Sequence, residues 1–126
     1  MWFWQRKPKI AGSSAIKECL MDYFGSQKIW LFNSRYKLFK NEKDFLNKCP
    51  MVTPWSEDYD CDRQVMEAFG KLQGWSCGAI ILYWKSEVNT HALIVVCFED
   101  KTVKLFDVNS RRFFDVKPQK ILKIWM

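Results

Sequence analysis

Cysteine, histidine and aspartate are the residue types of nucleophilic thiol catalysis, which needs a thiolate, a base to make it and a group to orient that base. The sequence offers one candidate for each role. Cys61 lies in WSEDYDCDRQVMEAF (55–69), at the start of a helical pattern, where unpaired backbone N–H groups and the positive end of the helix dipole favour a thiolate. His91, the single histidine, opens the apolar run HALIVVCF (91–98), and Asp107 stands in the next run, VKLFDV (103–108). If these two runs form a hairpin around EDKT (99–102), residues 91 and 107 come close to cross-strand register, and Asp107 can accept the second ring N–H of His91. The setting of Cys61 is adverse in one respect. Glu57, Asp58, Asp60 and Asp62 surround it in sequence, and nearby negative charge raises a thiol pKa. The plainer reading makes Cys61 a small packing residue, His91 a strand-start residue and Asp107 with Asn109 and Ser110 a turn sequence.

The elements that would position these residues follow from local pattern. Ser13 and Ser14 are good helix caps, and Ile16, Leu20, Tyr23 and Phe24 before Gly25 predict a helix over 14–24. KIWLF, the turn-like NSR and YKLFK predict strand, turn and strand. Asn41 can cap a short helix that turns Phe45 and Leu46 inward. Pro50 and Pro54 favour extended backbone, so helix resumes only at Cys61 or Asp62, with Val65, Phe69 and Leu72 at helical spacing up to Gly74. Beyond it AIILYW (79–84), HALIVVCF, VKLFDV, RFFDV (112–116) and ILKIW (121–125) are β-branched and aromatic runs separated by short polar turns. The expectation is an α+β fold, with amino-terminal helices packed on a carboxy-terminal antiparallel sheet of four to five strands. Residues 1–126 read as one domain, with 1–12 as an amino-terminal arm carrying Trp2, Phe3 and Trp4.

Composition sets the outer limits. With 48% apolar and 17% aromatic residues, 126 residues can bury a full core. No run of 18 apolar residues exists and MWFWQRKPK does not have the form of a signal peptide, so no membrane segment and a cytoplasmic location are expected. Five cysteines without a CxxC pair argue against a zinc cluster or disulfide framework and for a reducing compartment. Cys77, in GWSCGAI, precedes a strand and reads as packing. The net charge of +6 is unevenly placed: residues 1–50 hold ten Lys/Arg against four Asp/Glu, and residues 51–126 hold ten against ten. An amino-terminal basic face could meet nucleic acid or an acidic protein, and MWFWQRKPK and IWLFNSRYKLFK could stack bases, although no recognised nucleic-acid motif supports this. Asp58, Asp60 and Asp62 alternate as in a calcium loop, but Arg63 at its sixth position and Phe69 at its twelfth exclude an EF-hand.

In order and spacing, EDYDCD before a helix, an apolar strand, THALI and VKLFDVN together resemble the small papain-like domains of phage and bacterial genomes. These are the lectin-like, or agglutinin carboxy-terminal, proteins, with a YDCDD-type helix start and a GHA-type strand start. IWLFNSRYKLFKNEKDFL extends the resemblance to residues 28–116. It implies a papain-like fold and a cysteine-dependent amide hydrolase, a protease or deamidase acting on a protein or peptide. Cys61 would be its nucleophile, His91 its base and Asp107 the orienting acid, with Asn109, Asp62 and Arg63 supporting or substrate-binding. The chain departs from the pattern at Arg63, Gln64 and Thr90, which replace an acid, an aromatic residue and a glycine, and no glutamine upstream of Cys61 supplies an oxyanion donor. A phage-encoded chain would act in the host cytoplasm. No cofactor or metal is expected, with calcium near Cys61 as the alternative, since the agglutinin relatives are calcium-activated proteases. The other functional reading is a catalytically inactive papain-like binding module that contacts a host protein or nucleic acid through the basic aromatic amino-terminal half.

Overall fold

The computed structural model describes residues 7–25, 29–83, 90–114 and 120–126. Along the chain run β1 (Ile10–Gly12), α1 (Ser13–Phe24), β2 (Ile29–Trp30), β3 (Arg35–Lys37), α2 (Glu42–Lys48) and α3 (Cys61–Lys71). Then come β4 (Cys77–Tyr83), β5 (Thr90–Cys97), β6 (Val103–Asp107), β7 (Arg112–Phe114) and β8 (Lys120–Trp125). Local chemistry accounts for the helix boundaries. The Asn41 side chain accepts the Asp44 N–H at 2.9 Å and so caps α2, while Asp44 pairs with Lys48 one turn on. At the end of α1 the chain leaves through Gly25 at φ +80°, a conformation that glycine adopts without the penalty of a Cβ.

Six strands form one sheet in the order β2-β8-β4-β5-β6-β7, with β2 parallel to β8 and all other neighbours antiparallel. A second sheet pairs β1 with β3. The expected architecture, amino-terminal helices on a carboxy-terminal antiparallel sheet of four to five strands, is therefore corrected. The protein is mostly sheet, the large sheet is mixed, and β2 from the amino-terminal half joins it beside the last strand. Ile10–Gly12, expected within an arm, is a paired strand. Trp2, Phe3, Trp4, Trp84, Asp115 and Val116 lie outside the described residues.

Burial explains why a two-layer picture failed. Ala92, Ile94 and Val96 of β5 pack with Val65, Ala68 and Phe69 of α3, whereas Leu93, Val95 and Cys97 pack with Ile16 and Leu20 of α1. A strand covered on both faces needs no polar alternation and reads as a continuous apolar run, as HALIVVCF does. The three helices among the described residues are short, and they close the two faces of the sheet separately. On the α3 side, Phe39, Phe45, Phe106 and Phe113 form an aromatic cluster, with Phe45 edge-on to Phe39 at 5.0 Å and to Phe106 at 4.8 Å. The aromatics of IWLFNSRYKLFK divide: Tyr36 and Phe39 are buried, and the Tyr36 hydroxyl donates to the Met126 carbonyl at 2.8 Å, while Trp30 and Phe32 are exposed.

Candidate functional site

Cys61 is the first residue of α3, and the loop before it is folded back on the same helix. Ser56 and Tyr59 exchange backbone hydrogen bonds, which closes the turn carrying Glu57 and Asp58. The Tyr59 hydroxyl donates to Glu67 Oε1 at 2.6 Å, and the Thr53 N–H donates to the same oxygen at 3.1 Å. Gln64 makes the inner link. It is buried, and its Nε2 donates at 3.0 Å both to the Thr53 carbonyl and to Asn109 Oδ1, which joins the loop, the helix and the β6–β7 turn. Its Oε1 is buried with no hydrogen-bond partner among the described residues.

Electrostatics at Cys61 run against a thiolate. Burial pushes its thiol above the ordinary value, and Asp62 and Asp60 push the same way, while the Ala92 N–H donated to the sulfur opposes them. The thiol itself donates to Asp62 Oδ1 at 3.7 Å. Protonated thiol is a poor nucleophile. The helix start thus brings Cys61 beside the Ala92 backbone of β5, in a setting that on balance disfavours the thiolate.

Asp107 does turn work. Its Oδ1 accepts the Asn109 N–H at 2.9 Å and its carbonyl accepts the Arg111 N–H at 2.7 Å. The β5–β6 register pairs Ile94 with Phe106 and Cys97 with Val103, so continuing it by one step sets residue 107 opposite residue 93, two residues from His91. His91 is half-buried and pairs with Leu82 across to β4. Asp62 and Arg63 are exposed on the first turn of α3, and Asn109 is exposed in the turn after β6. Among the described residues no group of three or more His, Cys, Asp or Glu side chains is placed to hold a metal ion.

Two residues central to this region were not singled out for a role by the sequence. Gln64 falls on the inward stripe of α3 with Val65 and Ala68, and a polar side chain on an apolar stripe is the signal that marks it. Arg111, at φ +56°, has no comparable signal. Its guanidinium donates to the carbonyls of Leu46 and Pro50 at 3.1 Å and of Cys49 at 3.3 Å, and it lies over the Phe106 ring. It thereby caps the end of α2 and fixes the loop that leads to Cys61. Arg111→Met should lower unfolding free energy by about 2 kcal/mol in urea titration, because three carbonyls lose charge-assisted donors. Arg111→Lys should recover less than half of that, since an ammonium cannot fork to three acceptors. Wild-type stability in Arg111→Met would contradict this role.

No family model matches the chain, and no curated protein matches it. Solved structures do. A PSL1a–E64 complex matches with TM-score 0.70 at 14% identity, covering 93% of this chain and 51% of that one. A structure of Polyporus squamosus lectin bound to the human-type influenza-binding epitope Neu5Aca2-6Galb1-4GlcNAc matches with TM-score 0.70 at 13% identity, covering 93% of this chain and 49% of that one. At such identity the likeness shows a shared fold, and the chain spans about half the length of these neighbours.

These matches correct the resemblance read from the sequence. The fold they return is that of a lectin chain where the motifs had suggested a papain-like peptidase, and the amide-hydrolase and thiol-protease readings are corrected with it. The physical reason lies in the motifs. An acid-rich first turn suits any helix start because it complements the dipole, and THALI suits any strand buried on both faces. Neither is specific to a nucleophile or a base.

Proposed function

We propose that the chain is a binding module of lectin type, with its ligand-facing surface at the start of α3. The observation that carries the reading is the exposed surface at the start of α3, around a Cys61 thiol that burial, Asp62 and Asp60 raise above its ordinary value. The site has the makings of recognition instead. Trp55 is 55% exposed and follows by two residues Thr53, which Gln64 and Glu67 tie to α3. An exposed indole offers an apolar platform for the C–H face of a sugar ring. Asp62, Arg63 and Asn109 are exposed in the same region and supply acceptors and donors for hydroxyl groups. The likeness to Polyporus squamosus lectin supports carbohydrate as the ligand class.

The test is a titration of the purified chain with the trisaccharide Neu5Aca2-6Galb1-4GlcNAc and with unrelated oligosaccharides, followed by tryptophan fluorescence. Saturable binding is expected, and Trp55→Ala should weaken it at least tenfold while leaving thermal stability unchanged, since surface substitutions cost within about 0.5 kcal/mol. Thiol labelling at neutral pH should find Cys61 slow. Rapid, selective modification of Cys61, or absence of binding to any oligosaccharide, would overturn the proposal.

A second reading rests on the exposure of Phe32, 65% exposed just before the basic stretch 35–43. Here the module would meet nucleic acid or an acidic protein through its basic half. Binding of a short single-stranded oligonucleotide that weakens steeply with added salt would favour it over the sugar.

A further inference from the structure

On the opposite face of the sheet a cavity of about 540 Å³ opens between α1 and the β5–β6 hairpin, lined among others by Ala15, Cys19, Tyr23, Cys97, Lys101 and Val103. Two of the five cysteines meet in it. Cys19 is half-buried on α1, its thiol 3.1 Å from the Lys101 carbonyl. Cys97, fully buried at the end of β5, lines the same cavity, and the side chains of Cys19 and Cys97 act on each other's thiols. These residues are 78 positions apart, so the pairing is a product of the fold. We propose that Cys19 and Cys97 form a peroxide-reactive dithiol site that closes to a disulfide joining α1 to β5.

Access and partnership select this pair. A thiol that responds to an oxidant must be reachable, and a reversible response needs a second thiol to resolve the first product. Cys19 lines the cavity and is reachable, and Cys97 stands beside it. Cys49 and Cys77 are both buried. Cys61 is reachable, but burial, Asp62 and Asp60 push its thiol above the ordinary value. At Cys19 the balance is reversed: the hydrogen bond from Cys97 lowers its thiol below the ordinary value and Lys101 adds to this, against burial and the charges of Asp22 and Asp100.

The chemistry balances in two steps with hydrogen peroxide as the oxidant. The Cys19 sulfur attacks one peroxide oxygen, the O–O bond breaks, and hydroxide leaves and is protonated to water, giving a sulfenic acid on Cys19. The Cys97 sulfur then attacks the Cys19 sulfur, the S–O bond breaks, and the departing hydroxide takes the Cys97 proton as a second water. Two thiols have lost two electrons to one peroxide. Closure brings the two sulfurs to an S–S bond of about 2.05 Å and ties α1 to β5 across the cavity. In a reducing compartment such a bond is transient, as sensing disulfides are.

The experiment treats the full chain with hydrogen peroxide and reads intact mass and peptide maps. The expected product has lost two hydrogen atoms, links the Cys19 peptide to the Cys97 peptide, and reverts with dithiothreitol. Iodoacetamide should modify Cys19 faster than Cys61, whose thiol is raised where that of Cys19 is lowered. Cys97→Ala should divert Cys19 to a sulfenic acid that dimedone traps. Cys19→Ser, a half-exposed position that leaves the core intact, should abolish the cross-link and keep the far-ultraviolet spectrum of the parent. A cross-link that forms at the parental rate in Cys19→Ser, or a first disulfide that includes Cys61, would refute the site.

Discussion

Gly78→Ala is expected to cost about 4 kcal/mol or more and to lower the melting temperature by about 15 °C, a large share of the 5–15 kcal/mol that typically holds a domain together. A Cβ at position 78 would lie 1.9 Å from the Trp125 carbonyl oxygen, 2.4 Å from Met126 Cγ and 2.8 Å from Met126 Cα. Two of these three are backbone atoms, and the backbone there is held from the far side. The Met126 N–H donates to the Trp30 carbonyl at 2.8 Å, and the Met126 carbonyl accepts from the Phe32 N–H at 2.7 Å and from the Tyr36 hydroxyl at 2.8 Å. A methyl group at residue 78 therefore has to push β8 away from β4 or off β2. Urea and thermal unfolding measure the loss. A shift below about 1 kcal/mol would show that the strand ends yield, and that the close approach is not a constraint on the fold.

Phe45→Ala should be nearly as damaging, at about 4 kcal/mol, within the range for removing a buried aromatic ring. Phe45 is fully buried and touches Phe39, Phe106 and Phe113, three rings carried by different segments. Helix α2 has only seven residues, too few to persist by its own propensity, so this side chain is its main attachment to the sheet. The loss should also reach the Cys61 region. Arg111 binds the carbonyls of Leu46, Cys49 and Pro50, and these move if α2 detaches. Amide hydrogen exchange should show faster exchange across 42–60 in Phe45→Ala, while β4 and β5 stay protected. Phe45→Leu should cost about half as much, because it keeps most of the volume. Equal stability of Phe45→Ala and the parent would remove the aromatic cluster from the list of what holds α2 in place.

How much of this was legible in the sequence depends on the length of the signal. The helix at Cys61, the short helix behind Asn41 and the β-branched runs that became β4, β5, β6 and β8 are long or capped, and their patterns sufficed. β2 is two residues long and its partner Ile124 is 95 positions from Ile29, so no local pattern could announce the parallel pair. Burial of β5 on both faces was present as an unbroken apolar run, but such a run does not say what covers each side. At the site, the adverse effect of acids on Cys61 was legible, and the structure assigns it to Asp62 and Asp60 after burial itself. The partners of Gln64 and Arg111 depend on loops meeting across 45 to 65 positions, which composition cannot encode.

The place of β8 has a consequence for synthesis. It comes last in sequence, yet it sits between β2 and β4 in the interior of the sheet. While the chain is being made, both of those strands keep an unpaired edge until residues 120–125 emerge, and such edges invite pairing with other chains. The sheet therefore closes only once residues 120–125 are available to pair with both β2 and β4.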